Sequence, residues 1–278
     1  GYTASEKLQI AKKHLLPRAM ESAGIAPQQL HISDGALRKM ISDYTMESGV
    51  RGLKKRIDTL CRSAAVKLVK GEKTAITVGA RQLKEMLDRK PMRHDTAMKT
   101  GVPGVVTGLA WTQAGGDILF LETMFTKGEG KIHITGQLGD VMKESVQVAI
   151  SLVKSMYPDK ADLFKEYDLH VHVPDGAVPK DGPSAGITLT TALASLVTGK
   201  AVGPTVAMTG EVSLRGGVMP IGGLPEKLMA AVRAGIRTVM IPQDNEEDLE
   251  DVAEEVKRQL TIVPVSSVSQ VLEKTGLR

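Results

Sequence analysis

Near residue 95 this chain changes its hydrophobic rhythm, and no single packing scheme suits both sides of the change. Before it, apolar residues recur every three or four positions, the spacing of amphipathic helices. After it, short alternating runs take turns with longer helical stretches, the pattern of strands and helices sharing a sheet. The reading is a multidomain chain of class α followed by α/β: a small all-helical domain over residues 1–94 and an α/β domain over residues 97–278. A polar stretch, Arg93 to Gly101, supplies the linker. Charge shifts at the same place. Residues 1–95 hold 19 Lys+Arg against 10 Asp+Glu, a net of +9, while residues 96–278 hold 17 against 22, a net of −5.

The helical part begins with Thr3 and Glu6, a pair that can cap a first turn reciprocally. Leu8, Ala11, Leu15 and Leu16 give that helix one apolar face until Pro17, which is expected to bend or stop it. Ser33 starts a second helix with Leu37, Met40, Ile41 and Tyr44 on one side. A third runs from about Arg51, with Leu53, Ile57, Leu60, Cys61, Ala64 and Leu68 in line. Thr74–Val78 reads as a short strand, and a last helix carries Leu83, Met86 and Leu87. In the second part, strands are expected at Val105–Thr112, Asp117–Thr126, Lys131–Thr135, Leu169–Val173, Thr205–Thr209, Thr238–Ile241 and Thr261–Val265. Helices are expected over 138–156, 184–197, 224–234 and 246–259 and at the end of the sequence. Aromatics make up only 3% of residues, so both cores must be built from Val, Ile, Leu, Ala and Met. No apolar run reaches the roughly 18 residues a membrane helix needs. Cys61 is the single cysteine, which forbids an internal disulfide and fits a reducing, cytoplasmic setting.

Chemistry concentrates between a strand and a helix, in the Gly/Pro-rich stretch from Val173 to Gly186. Pro183 suits a helix's first turn, and Ser184 follows it where free N–H groups and the helix dipole favour an anion. A serine there can attack a carbonyl while neighbouring N–H groups hold the oxyanion. A serine at a helix start is also an ordinary cap, and the local sequence leaves both readings open. A nucleophilic serine needs a base, and no histidine is obviously placed for it. His170 and His172 share one face of a strand, but no partner set with metal-ligand spacing accompanies them, so they read as half-exposed strand residues. A lysine can serve if burial lowers its pKa from about 10.4 to roughly 7–8. Lys227 sits among Leu228, Met229, Ala230 and Ala231 on an apolar helix, which suits a desolvated amine, though an exposed helix lysine paired with a carboxylate has the same local look.

At these residues the sequence resembles the Lon family, the AAA+ ATP-dependent proteases, and specifically its bacterial A-type. The resemblance spans essentially the whole chain and rests on PKDGPSAG (179–186), GGLPEKLMAA (222–231), GLAWT (108–112), GKIHITGQLGDVMKES (130–145) and TGEVSLRGGVMPIGG (209–223). It implies a serine endopeptidase with Ser184 as nucleophile and Lys227 as base, on an α/β fold peculiar to the family. Thr209 matches a residue that orients the lysine amine, and Asp181 and Glu122 match acidic positions near the site, read as tuning or gating groups. The helical part resembles the small α-subdomain that closes an AAA+ nucleotide site, where Arg51 matches the sensor-2 arginine. The sequence contains no G-x-x-x-x-G-K-[ST] phosphate loop. The expectation is therefore a fragment beginning at the small subdomain that needs no cofactor itself, with ATP and Mg belonging to the full-length protein. The resemblance further implies unfolded or tagged polypeptide substrates, a homohexamer and no membrane. A second reading, from the net +9 of the basic half, is nonspecific DNA binding through residues 1–94, in addition to or instead of proteolysis. DNA binding is also a property of the family.

Overall fold

The computed structural model describes residues 1–112, 115–175 and 180–278. The chain divides into two compact units, one of Gly1–His94 and the other of Asp95–Thr112 with Gly116–Arg278.

The first unit opens with α1 (Ala4–Ile10), where Thr3 and Glu6 exchange both bonds of a capping box. Pro17 does not stop this helix. A π-helical turn, Ala11–Leu15, precedes it, and the chain continues as α2 (Leu16–Ser22). The widened turn gives room for a ring that carries no N–H and crowds the carbonyl four residues back. Strand β1 (Leu30–Ile32) leads to α3 (Asp34–Asp43), capped by the Ser33 hydroxyl on Ala36 N–H. The long helix α4 (Arg51–Val69) buries Leu53, Ile57, Leu60, Cys61 and Ala64. The carboxylate of Glu47 closes its N-terminus by accepting from Gly52 and Leu53 N–H at 2.8 and 2.9 Å. Strand β2 (Ile76–Val78), within the Thr74–Val78 stretch expected as a short strand, pairs in parallel with β1 before the short α5 (Leu83–Met86).

Among the described residues, the second unit is a three-layer α/β structure on a seven-stranded mixed sheet. Its strands are β3 (Val105–Thr112), β4 (Gly115–Lys127), β5 (Ile132–Thr135), β6 (Tyr167–His172), β7 (Val206–Met208), β10 (Thr238–Pro242) and β11 (Thr261–Val265). Across the sheet they run β11-β10-β7-β3-β4-β6-β5. The β3–β7, β7–β10, β10–β11 and β5–β6 pairs are parallel and β4–β6 is antiparallel. A hairpin, β8 (Glu211–Val212) with β9 (Val218–Met219), stands outside this sheet. Alternation along β7 and β10 explains the layers. Met208 and Met240 pack with α6 (Asp140–Met156), α8 (Gly186–Thr198) and α11 (Val268–Lys274). Ala207, Val239 and Ile241 point the other way, onto α9 (Leu224–Arg233) and α10 (Glu254–Gln259). The remaining short helix, α7 (Leu163–Glu166), precedes β6. The charged stretch expected as one helix over 246–259 is instead a 3-10 segment, Gln243–Asp251, followed by α10. No helix among the described residues is long and apolar enough to cross a membrane.

Candidate active site

Ser184 lies in a single 3-10 turn, Pro183–Ala185, that feeds α8 rather than at the first residue of the α-helix itself. Gly182 enters that turn at φ 124°, a conformation that side-chain-bearing residues avoid. Residues 176–179 of the loop, including Pro179 of the PKDGPSAG stretch, fall outside the described residues. Ser184 is half-buried. Its carbonyl accepts from Gly210 N–H at 2.9 Å, and the Gly210 carbonyl accepts from Ile187 N–H at 3.0 Å. The lead-in to α8 is thus tied to one residue by bonds in both directions.

Thr209 immediately precedes that glycine. It is fully buried, and its N–H continues the β7–β10 ladder by donating to the Met240 carbonyl at 3.1 Å. Its hydroxyl accepts a hydrogen bond from Lys227 Nζ at 3.1 Å. Lys227 is only 3% exposed, on the α9 face that also buries Leu224, Leu228 and Ala231. Burial lowers its pKa from 10.5 to about 8, and no carboxylate counters that effect. A desolvated ammonium without a counter-ion gives up its proton more readily. Two consecutive residues therefore hold the two candidate groups: Thr209 the lysine amine, Gly210 the backbone of Ser184.

The start of α9 is fixed from two sides. Gly223, its N-cap, sits at φ 70° with the Trp111 ring where a Cβ would stand, the nearest ring atom 2.7 Å from that position. Behind the turn, Asn245 bonds both backbone groups of Ile221. Neither residue stood out in the sequence. Asn245 hides in the acidic run QDNEEDLED, and the signal available for Trp111 was only its place in a family motif.

Asp181 meets the start of a helix. Its Oδ1 accepts from Met142 N–H at 3.0 Å, in the first turn of α6. The N-cap of that helix, Gly139, has no side chain of its own to do this. The two segments are further joined by Gly139 N–H to the Lys180 carbonyl at 2.7 Å and Lys180 N–H to the Gln137 carbonyl at 3.0 Å. Glu122 is half-buried on β4, opposite His172 of β6 in the ladder. His172 and His170 both meet the Thr135 hydroxyl, at 2.6 and 2.8 Å. Among the described residues, no three His, Cys, Asp or Glu side chains form a group fit to hold a metal ion. Arg51 is exposed as the first residue of α4. The sequence offers a nucleotide no phosphate loop, so the residues present do not make a site for ATP and Mg.

Comparison with known proteins divides the chain in the same order. Residues 77–277 match the family model described as the Lon protease (S16) C-terminal proteolytic domain, and residues 21–76 match the Lon protease AAA+ ATPase lid domain. That division falls within β2, whereas the compact units part after His94. A Lon protease of Clostridium beijerinckii is 55% identical over 99% of this chain and 35% of its own length. One from Methanosarcina barkeri is 52% identical over 99% of this chain and 34% of its own length. Lon protease 1 of Bacillus subtilis is 47% identical over 98% of this chain and 36% of its own length. The chain thus spans about a third of the length of these curated relatives.

Proposed function

This chain belongs to the Lon protease family, and we propose that it hydrolyses peptide bonds with Ser184 as nucleophile and Lys227 as general base. The supporting observation is the Thr209–Gly210 pair, which ties the lysine amine and the serine backbone to adjacent residues. With a pKa of about 8, a substantial fraction of Lys227 is neutral at mildly alkaline pH. The neutral amine takes the Ser184 proton as Oγ attacks the scissile carbonyl. The start of a helix offers N–H groups with no acceptor a turn earlier, and those beside Ser184 steady the oxyanion. The lysine returns the proton to the leaving amine as the tetrahedral adduct collapses to an acyl-enzyme. It then takes a proton from the water that releases the acid. Thr209 keeps the amine oriented throughout. Asp181 serves by holding the Ser184 loop on α6, and Glu122 keeps the role of a tuning group.

In the same reading, residues 1–94 form the helical subdomain and residues 97–278 the protease domain. Unfolded or tagged polypeptides are the substrates, the full-length protein is a cytoplasmic homohexamer, and Arg51 reaches nucleotide phosphates only in a complete ATPase. The net +9 of residues 1–95 also favours nonspecific DNA binding there. A salt-dependent gel shift with residues 1–95 but not 96–278 would bear that out; binding by the acidic part alone would refute it. The decisive test of proteolysis is cleavage of a short unstructured peptide, which needs no unfolding step. Ser184→Ala and Lys227→Ala should each abolish it in folded protein, and cleavage persisting in both would end the assignment.

A further inference from the structure

Asn245 is 3% exposed, within the 3-10 segment Gln243–Asp251, where every other polar side chain can reach water at least in part. Its amide closes on the backbone of one residue: Oδ1 accepts from Ile221 N–H at 2.9 Å and Nδ2 donates to the Ile221 carbonyl at 2.8 Å. Nδ2 also donates to Asp248 Oδ2 at 2.6 Å. A side-chain amide presents the same donor and acceptor pair as a peptide unit, so the two bonds fix the orientation of Ile221 as well as its position. Ile221 opens the Ile221-Gly222-Gly223 turn, in which the two glycines bring no side chains of their own to anchor it. The turn delivers the chain directly into α9, and Lys227 N–H bonds the Gly223 carbonyl at 3.0 Å.

We infer that Asn245 is a positioning residue for Lys227: by pinning Ile221 it fixes the point from which α9 departs, and so holds the lysine amine in its buried place against Thr209. This rests on the Ser184–Lys227 reading, and extends it to a residue that touches neither group. Asn245 contributes no proton and meets no substrate in this scheme. It sets where the base stands.

The test combines peptide hydrolysis by the whole chain with a reporter that does not depend on activity. Trp111, the only tryptophan, packs on Gly223 at the far end of the same turn. In Asn245→Ala, the emission of Trp111 should shift in protein that circular dichroism shows to be folded. The same variant should lose about tenfold in kcat with KM little changed, because the geometry of the base and not substrate binding is affected. The rising limb of its pH–rate profile should move to higher pH as the amine gains water. Unchanged emission overturns the inference. So does a lowered melting temperature with kcat and the limb unmoved, which would mark Asn245 as merely structural. If the alanine variant fails to fold, Asn245→Asp decides: it keeps the acceptor for Ile221 N–H, loses the donor, and should move emission and limb the same way by less. Ser184→Ala separates the two levels. Peptide cleavage that survives it defeats the dyad, while the Trp111 emission still reports on Asn245.

Discussion

Ser184 and Lys227 stand in opposite surroundings, although adjacent residues hold them. The serine is half-buried in a short turn, and its backbone rather than its side chain is what the protein grips. The lysine is 3% exposed on a helix packed against the sheet, and its amine is gripped directly by one hydroxyl. The roles proposed for the two groups account for the difference. A nucleophile has to meet a polypeptide, so its side chain needs access while its position is fixed from behind. A base that is ordinarily a cation has to shed its charge, and burial away from carboxylates is the way the fold arranges this. One group is placed by backbone geometry, the other by desolvation.

The largest effects should come from removing the two groups, with stability telling them apart. Ser184→Ala and Lys227→Met should both cut kcat on a short peptide by at least roughly 10²–10⁴. Keeping a buried ammonium at neutral pH costs the fold about 3 kcal/mol, from the fall of the lysine pKa from 10.5 to about 8. Methionine matches the length without the charge, so Lys227→Met should be more stable than the parent at pH 7, by somewhat less than that because the Thr209 bond goes too. Ser184→Ala should leave the denaturation midpoint nearly unchanged. Equal destabilisation of both variants would erase the contrast.

Acidity should sharpen it further. In the parent, activity should rise with pH through about 8, as Lys227 becomes the free amine. The folded state holds this lysine's pKa below its unfolded value, so between about pH 8 and 10.5 the unfolded chain binds the extra proton. Stability from this group must therefore rise with pH across that window and vanish from the profile of Lys227→Met. Thr209→Val removes the hydroxyl while keeping shape and burial. Losing one hydrogen bond of about 1 kcal/mol should slow the peptide reaction severalfold. A hydroxyl favours a charged donor over a neutral one, so the rising limb should shift to lower pH in this variant.

Much of this was legible in the sequence where one local rule decided the outcome. Strand Thr261–Val265 lies where the sequence placed it, and Thr3 with Glu6 makes the expected capping box. What stayed hidden depended on how groups meet once the chain is folded. Pro17 was read as a bend or stop, but a π turn absorbs it. Glu47 caps α4 from the preceding loop and not from the N-cap position, which Val50 holds, so the usual capping signal is missing there. The neighbours of Lys227 made a buried amine possible, yet only the packing of α9 on the sheet decides which face they turn inward. Asn245 was unreadable for the same reason, since its value lies in a residue 24 positions earlier.

The smallest expected effect concerns the grip on the serine side. Asp181 comes three residues before Ser184 and caps α6, taking the role that Gly139 cannot fill from its own position. A Cβ on Gly139 would stand 2.3 Å from the Asp181 Cγ, so the glycine leaves the space the carboxylate needs. Asp181→Ala should cost about 1 kcal/mol of stability, the usual worth of an N-cap, and lower kcat a few-fold by loosening the loop. Asp181→Asn keeps an acceptor for Met142 N–H and should recover most of both. Its rising pH limb should match the parent's, since the carboxylate is no cause of the lowered Lys227 pKa. A limb that moved in Asp181→Asn would mean that this carboxylate acts on the lysine after all, and the two sides of the site would no longer be held by separate means.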